Sequence, residues 1–250
     1  MKKFLPMLLL AASVNSIAAG NFDATAEKIK SALNAEIRTE SETDRDKNRK
    51  ALQTLDFFGL REDMKVIELI PGGGWYTKIL APVVSENGEY YAALGTGRIK
   101  GLTEEPGFEK IKIIAEDAKL YRKDGERFYS LEADSLGVKD LDMVFTFRNY
   151  HNFGEEGRRN MNKLAFEALK PGGIYAVVDH TARHMEAQTP ANRRRIDPVL
   201  AIKEIQEAGF EFVDYTDLHY RADDELRYEV GVKSVSGNTD RWTIKFRKPN

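Results

Sequence analysis

The chain contains no cysteine among its 250 residues. This absence excludes disulfide bonds, thiolate metal sites and cysteine nucleophiles. A chain of this length can bury a core large enough to fold without covalent cross-links. The lack of cysteine therefore also suits a protein that leaves the reducing cytoplasm.

A surplus of positive charge is also absent. Thirty-eight Lys and Arg residues stand against 40 Asp and Glu residues, and the formal net charge is −2. A protein that neutralises a nucleic-acid backbone usually needs a basic surface, so we expect no nucleic-acid partner. Hydrophobic residues make up 42% and charged residues 31% of the chain, which is typical of a folded globular protein rather than a disordered one.

An apolar run long enough to span a membrane is missing, even at the N-terminus. There, Lys2 and Lys3 precede an apolar stretch at residues 4–12, and small residues follow at 16–19. This order is typical of a secretory signal peptide, whereas a transmembrane span needs roughly 20 apolar residues. We therefore predict a signal peptide at residues 1–19, export to the periplasm and no stable membrane insertion after cleavage.

Residues 20–250 are expected to form one domain, because no internal repeat and no low-complexity linker divides them. Apolar residues recur at intervals of three or four through residues 20–60, which predicts a helical extension. Downstream, short apolar segments alternate with helical segments. This alternation is typical of a parallel sheet covered by helices on both faces, so we predict a doubly wound α/β fold.

Most strands are marked by short apolar runs, at residues 66–70, 89–94, 141–147, 174–180, 210–218 and 242–246. Between residues 106 and 121 the apolar positions have helical spacing, although the cluster at 111–114 also suits a strand. We interpret residues 106–121 as a helix and residues 128–133 as the third strand of the sheet.

The most informative segment is MKVIELIPGGGWYT, at residues 64–77. An apolar strand that carries Glu68 near its end leads into three glycines and the start of a helix. Glycines allow a ligand to approach the backbone closely, and a helix N-terminus offers free N–H groups. The dinucleotide fingerprint fails because Thr77 stands at its third glycine position, which disfavours a nicotinamide-dependent reductase. The phosphate-loop pattern fails because no Lys-Ser or Lys-Thr pair follows the glycines.

What remains resembles the glycine loop of class I S-adenosylmethionine-dependent methyltransferases, with Glu68 as its acid and Gly72 and Gly74 as its last two glycines. The resemblance implies a seven-stranded, mostly parallel sheet in which the last strand is antiparallel. It also implies S-adenosyl-L-methionine as the cofactor.

Four segments resemble the signatures of a family of predicted bacterial methyltransferases that usually carry signal peptides; they lie at residues 68–82, 142–152, 169–180 and 240–249. An acid near the adenine amine is usual at the end of the third strand in such enzymes, and Glu132 or Asp134 could serve. The resemblance and the position of the strand ends together predict these cofactor-binding residues: Glu68, Pro71, Gly72, Gly73, Gly74, Glu132, Arg148 and Asn149.

Two positions depart from the general pattern of these enzymes. Ile70 takes the place of the first glycine of the loop, although Gly73 adds a glycine. The end of the second strand, YYAALGTG at residues 90–97, offers no carboxylate to the ribose hydroxyls. These departures leave a second hypothesis open: a non-catalytic, exported protein that binds a small ligand on a degenerate methyltransferase fold.

The chain has only four histidines, and two of them lie at predicted strand ends that face the crevice: His151 follows one strand and His180 ends the next. Methyl transfer mainly requires alignment of donor and acceptor, and a base is needed when the acceptor is a protonated oxygen or nitrogen. We therefore predict His151 and His180 as catalytic residues. Alternatively, His151 and the neighbouring Asn149 and Asn152 only cap the helix that begins near Gly154.

Other polar side chains have two interpretations each. Arg148 could anchor an anionic substrate or the cofactor carboxylate, or form a surface ion pair. His180 and His184 have the spacing of a metal pair on a helix, but a strand exit fits better, so we predict no metal site. Trp75 and Tyr76 are expected to pack against a helix rather than to serve as stacking platforms. The run at residues 193–195 is expected to be a solvated helix start rather than a contact for an acidic substrate. The sequence favours a small-molecule acceptor without identifying it and indicates no oligomeric state.

Overall fold

The computed structural model describes residues 22–250, so the predicted signal peptide at residues 1–19 lies outside the described residues. The predicted helical extension is confirmed as four helices: α1 (Asp23–Leu33), α2 (Glu40–Thr43), α3 (Asp46–Arg49) and α4 (Ala51–Phe58). Gly59 ends α4 in the left-handed conformation, with φ of 82°, which a residue without a Cβ adopts without strain. Within residues 22–250, no helix has the length and apolar character needed to cross a membrane.

Seven strands form the main sheet: β1 (Lys65–Leu69), β2 (Glu89–Ala93), β3 (Lys112–Ile114), β6 (Leu141–Phe147), β7 (Leu169–His180), β8 (Glu211–Thr216) and β9 (Arg241–Arg247). Their order is β3-β2-β1-β6-β7-β9-β8. Every pairing is parallel except the two pairings of β9, which runs antiparallel to both β7 and β8. The strand order reverses between β1 and β6, and in such sheets ligands bind at the carboxyl ends of the strands beside this switch point.

Three further helices complete the layers: α5 (Thr77–Val84), α6 (Glu155–Ala168) and α7 (Pro198–Glu207). Alternate residues of the central strands point to opposite faces, which produces two separate cores. Val66 and Met143 pack with α1, α4 and α5, whereas Ile67 and Val144 pack with α6 and α7. The doubly wound α/β prediction is therefore confirmed.

The interpretation of residues 106–121 as a helix is wrong. The segment contains β3, which is the third strand of the main sheet, and the short strand β4 (Lys119–Tyr121). Ala115, with φ of 52°, ends β3, and the β-branched cluster before it favours a strand. The apolar positions only resemble a helical stripe, because they do not face a single core. Phe108 and Ile111 belong to one core, whereas Ala115 and Ala118, after β3, belong to the other.

The predicted third strand at residues 128–133 is also misplaced. Its strand, β5 (Ser130–Glu132), pairs antiparallel with β4 in a separate two-stranded sheet. Pairing, and not local pattern, decides which apolar segment joins the main sheet, so a single sequence does not distinguish the two candidates.

Candidate active site

A cavity of about 580 Å³ opens at the carboxyl ends of β1, β6 and β7, at the switch point of the sheet. Its lining comes from the glycine loop after β1, the segment after β6, the end of β7 and the N-terminal helical extension. Of the predicted site residues, eight line the cavity: Glu68, Pro71, Gly72, Gly73, Arg148, Asn149, His151 and His180.

The glycine loop after β1 is built from residues in the left-handed conformation. Ile70, Gly72 and Gly74 have φ values of 56°, 59° and 80°. This conformation suits glycine and strains a β-branched residue, so Ile70 holds the backbone shape that the first glycine of the loop would hold. The Asn149 side chain donates to the Ile70 carbonyl at 3.0 Å and ties the loop to the end of β6. Gly74 lies outside the cavity lining, where an added Cβ would meet Ile99 and Leu102 at 3.0 Å.

Glu68 lies buried beneath this loop. Its Oε2 atom accepts hydrogen bonds from the Thr77 hydroxyl at 2.8 Å and the Tyr90 hydroxyl at 2.6 Å. Burial raises the pKa of Glu68, with the two hydroxyl donors acting in the opposite direction. The carboxyl group thus connects β1, β2 and the start of α5 while it still lines the cavity.

The end of β2 carries no carboxylate, as the sequence indicates. Leu94 and Gly95 follow the strand, and Leu94 is buried in the apolar core beside Leu136. Arg98 lies three residues after Gly95, and its guanidinium is 3.2 Å from the position that a Cβ on Gly73 would take. A cation therefore stands over the glycine loop, where sequence analysis foresaw none.

Glu132 does not lie in the cavity, and its predicted role at the adenine amine is corrected. It sits at the end of β5, in the two-stranded sheet, where it accepts a hydrogen bond from the Tyr121 hydroxyl. The prediction failed because it rested on residues 128–133 as the third strand. The third strand of the main sheet is β3, and the acids that follow it are Glu116 and Asp117.

His151 and His180 are brought together at the cavity, with ring centroids 5.6 Å apart. The His151 Nδ1 atom lies 2.5 Å from Oδ1 of the fully buried Asp179, whose Oδ2 accepts from the His151 backbone N–H at 2.9 Å. Since Asp179 occupies Nδ1, the other ring nitrogen, Nε2, is the one left for a ligand. Asp179 thus does for His151 what the aspartate of a hydrolase triad does for its histidine.

His180 is buried and hydrogen-bonded through Nδ1 to the Thr239 hydroxyl at 2.9 Å. Burial, and after it the charges of His151, Arg241 and other arginines, lower the pKa of His180 well below its usual value. His180 is therefore neutral near pH 7. His184 is exposed and bound to Asp197, and no group of three or more His, Asp or Glu side chains within residues 22–250 could hold a metal ion.

The structure does not support the alternative that His151, Asn149 and Asn152 cap α6. Tyr150–Asn152 forms a 3-10 turn, and α6 begins after Gly154 without a side-chain cap. Asn149 instead spans two strand ends, since its side chain also donates to the Phe147 carbonyl at 3.1 Å. The segment after β6 therefore serves the cavity and not the helix.

Sequence analysis missed the contribution of the N-terminal helices. Glu42 of α2 and Arg49 of α3 line the cavity. Glu42 is paired with Lys78 at 2.9 Å, and its carbonyl accepts from the Trp75 indole at 2.8 Å. The Arg49 guanidinium lies over the Trp75 ring, 4.3 Å from its centroid. No local pattern marks these residues, because packing against α5 brings them to the site.

The aromatic residues after the glycine loop form one wall. Trp75 and Tyr76 are buried as predicted, and Tyr76 stacks on Phe147 with ring centroids 3.6 Å apart. Trp75, Tyr76 and Phe147 also line the cavity. The contacts that pack these rings together therefore also form the wall of the site. The wall is apolar and rigid, and it fixes Arg49 above Trp75.

Comparisons with known proteins agree with this architecture. No protein-family model matches the chain, and no curated protein matches its sequence. The structure of an S-adenosylmethionine-dependent methyltransferase from Aquifex aeolicus aligns with a TM-score of 0.57 at 16% identity, covering 89% of this chain and 97% of that one. The [4+2]-cyclase SpnF aligns with a TM-score of 0.56 at 15% identity, covering 91% and 93%. The glycopeptide N-methyltransferase MtfA complexed with sinefungin gives 0.52 at 16% identity, covering 81% and 94%.

The chain thus has the Rossmann-like fold of class I methyltransferases, with the predicted seven-stranded sheet and antiparallel β9. At these sequence identities the likeness establishes the fold. One of the neighbours is a cyclase, and a fold does not decide a reaction. The reaction depends on the residues of the site.

Proposed function

We propose that this protein is an S-adenosyl-L-methionine-dependent methyltransferase that acts on a small-molecule acceptor. The observation that carries the proposal is the His151–Asp179 pair, which lies on the same cavity as the glycine loop. A loop that approaches a ligand with its backbone is suited to align the methyl donor, and a histidine oriented by a carboxylate supplies the base that a protonated oxygen or nitrogen acceptor needs. We keep export as part of the proposal, on the N-terminal sequence pattern alone.

The cofactor would lie against the glycine loop and supply a methyl group on its sulfonium. Gly72 and Gly73 leave backbone space for it, and Asn149 holds the loop in place. Arg98 stands over Gly73 and is suited to the carboxylate of the methionine part. Because Leu94 takes the place of the acid after β2, the ribose hydroxyls would be recognised without that carboxylate.

The acceptor would occupy the other half of the cavity, next to the ends of β6 and β7. Asp179 holds Nδ1 of His151, so Nε2 is free to take a proton from an acceptor hydroxyl or amine. The neutral His180 beside it adds no charge near the sulfonium. The aromatic wall of Tyr76 and Phe147 excludes water from one side of the acceptor.

The binding of S-adenosylhomocysteine tests the cofactor assignment. We expect the mature protein to bind it in a calorimeter, and Gly73→Ala to weaken binding by about tenfold or more, because the new Cβ displaces Arg98 and enters the ligand space. The matched control is Gly101→Ala, at a glycine that lies outside the cavity and whose added Cβ meets nothing within 4 Å.

Two results would count against the proposal. If millimolar S-adenosylhomocysteine produces no heat with the parent protein, the cofactor assignment is wrong and the non-catalytic binding protein becomes the better hypothesis. If both glycine variants weaken binding equally, the ligand lies elsewhere than on the glycine loop.

A further inference from the structure

Three arginines converge behind and beside the acceptor half of the cavity. Arg49 comes from α3, Arg148 follows β6, and Arg241 begins β9. Arg49 and Arg241 are only 5% and 6% exposed, whereas Arg148 is partly exposed to the cavity. Like charges this close repel one another, and burial strengthens the repulsion.

These arginines differ from the other buried arginines of the described chain. Arg38, Arg158 and Arg195 each form an ion pair, with Asp46, Glu204 and Asp224 respectively. Within residues 22–250, by contrast, no carboxylate lies within ion-pair distance of Arg49, Arg148 or Arg241. The Nε atoms of Arg49 and Arg241, like that of Arg38, have no hydrogen-bond partner, and the Arg241 guanidinium donates through Nη1 to the Asn48 carbonyl at 2.7 Å. An unpaired buried guanidinium is costly, so a fold that retains several of them needs a compensating role.

The nearest acids do not neutralise this cluster. Asp179 acts on the charge of Arg148 from a distance, but it already accepts from the His151 ring, the His151 backbone and the His180 backbone. Glu68 acts on Arg49 and is occupied by two hydroxyl groups. Asp240 acts on the neighbouring Arg241 without forming an ion pair with it, and it accepts from the Arg221 backbone N–H at 2.8 Å. The cluster therefore keeps its positive charge unless an anion enters the cavity.

The lowered pKa values of Arg49 and Arg241 agree with a cluster that lacks a counter-charge. Burial, and after it the charge of Arg148, lowers the pKa of Arg49 to about 8. Burial and Arg148 likewise lower the pKa of Arg241 to about 10. A bound anion would relieve both effects, because it supplies the missing counter-charge.

Two of the three arginines, Arg148 and Arg241, lie on the side of the switch point away from the cofactor half, whereas Arg49 lies over Trp75 beside the glycine loop. The glycine loop and Arg98 follow β1 and β2, on one side of the switch point. Arg148 and Arg241 belong to β6 and β9, on the other side, and Arg148 follows the same strand as His151. An anion held by this cluster would therefore be part of the acceptor.

We propose that Arg49 and Arg148 bind a phosphoryl group of the acceptor, so that the substrates are small phosphorylated molecules. This inference rests on the proposed methyltransferase function. Two guanidiniums at the cavity, with Arg241 beside them, match a dianion, whereas a carboxylate would neutralise only one of them. Stacking on Trp75 holds the Arg49 plane in place, so little side-chain entropy is lost when the anion binds.

Calorimetric titration with phenyl phosphate, in the presence of saturating S-adenosylhomocysteine, tests the proposal. We expect Arg148→Gln and Arg49→Gln each to weaken phenyl phosphate binding by about 10- to 100-fold, because each removes charge-assisted hydrogen bonds. Arg227→Gln is the control, since Arg227 is exposed and lies outside the cavity.

Thermal unfolding gives a second readout that also checks folding. Removing one charge from a repelling cluster should raise the melting temperature of the ligand-free protein, while the increase caused by phenyl phosphate is lost. A purely structural arginine would behave in the opposite way, because its removal would lower the melting temperature. Such a loss of stability, together with unchanged phosphate binding, would overturn the proposal.

The remaining outcomes separate this inference from the proposed function. If benzoate binds as tightly as phenyl phosphate, the phosphoryl assignment is wrong. If the arginine variants lose S-adenosylhomocysteine and phenyl phosphate does not bind, the cluster holds the cofactor carboxylate instead. If phosphate binding depends on Arg49 and Arg148 while S-adenosylhomocysteine does not bind, the anion site stands and the methyltransferase function fails.

Discussion

One buried neighbour, Asp179, positions the His151 imidazole. Asp179 accepts from the ring and from the backbone of His151, so that both the tautomer and the ring orientation are set before a substrate arrives. Asp179 pairs with Trp242 of β9 in the sheet register, which places it on a rigid strand and not on a loop. The site is preorganised at this residue.

We expect His151→Gln to lower the rate of methyl transfer by about 10²- to 10⁴-fold, because the acceptor loses its base, while S-adenosylhomocysteine affinity stays the same. The rate is measured with tritiated S-adenosylmethionine and with hydroxyphenyl phosphates as acceptors, which carry a free phenolic hydroxyl beside the phosphoryl group. We also expect the Nδ1–H···carboxylate bond to give a low-field proton NMR signal in the parent protein, and Asp179→Asn to remove it.

His184→Gln is the matched control, since this exposed histidine pairs with Asp197 away from the cavity. Equal transfer rates in the His151 and His184 variants would show that His151 is not the base.

Ile70 shows how one residue replaces another without changing the backbone. Its φ of 56° lies in the region that glycine favours, and a β-branched residue there costs about 1–3 kcal/mol. The Asn149 side chain, which donates to the Ile70 carbonyl, is part of what holds the strained residue in place. The loop shape therefore depends on the end of β6 as well as on its own glycines.

At the scale of elements, the long connection between β8 and β9 closes the structure over the N-terminal helices. His219, in this connection, bonds through Nδ1 to the Thr243 hydroxyl at 2.6 Å and through Nε2 to the Arg49 carbonyl at 3.0 Å. Arg195, which is fully buried, joins the same connection through its pair with Asp224 at 2.8 Å. The prediction of a solvated run at residues 193–195 is therefore wrong for Arg195.

The docking of this connection should depend on pH. Burial lowers the pKa of His219 from 6.5 to about 4, so between these values the unfolded chain binds more protons than the folded one. The stabilising contribution is therefore complete above pH 6.5 and is lost as the pH falls toward 4, with a limit of about 3 kcal/mol. Urea unfolding at pH 7.0, 5.5 and 4.5 measures the free energy.

We expect His219→Gln to reduce this pH dependence, because the variant loses one of the two buried histidines whose pKa is lowered, and His180 accounts for the dependence that remains. His184→Gln, at an exposed position, should leave the slope as it is in the parent. If the slope is the same in the parent and in His219→Gln, the connection is not docked through a neutral His219.

At the scale of the whole molecule, charge is distributed unevenly. The chain carries a formal net charge of −2, yet five arginines line the cavity: Arg45, Arg49, Arg98, Arg148 and Arg194. Only two acids do so, and one of them, Glu42, is neutralised by Lys78. A cavity lined mainly by cations, on a chain of negative net charge, favours the binding of small anions, as the proposed phosphoryl site requires.

Export also concerns the whole chain, and it rests on residues 1–19, outside the described residues. We expect expression of the complete chain in a bacterial host to yield a periplasmic protein whose intact mass begins at Ala19 or Gly20, because the small residues at 16–19 suit signal peptidase. Reversing the charge of Lys2 and Lys3 to Glu should slow processing. A full-length mass confined to the cytoplasmic fraction would contradict export.

The sequence by itself determined the alternation of strands and helices, the glycine loop and the histidines after β6 and β7, because period and motif are local properties. Only the tertiary structure decided that β3, and not residues 128–133, joins the main sheet, which moved the predicted Glu132 out of the cavity. It alone also brought Arg49 and Trp75 to the site and buried Arg195 against Asp224. A charged residue looks the same in a sequence whether it is solvated or buried, since burial depends on distant elements that pack against it.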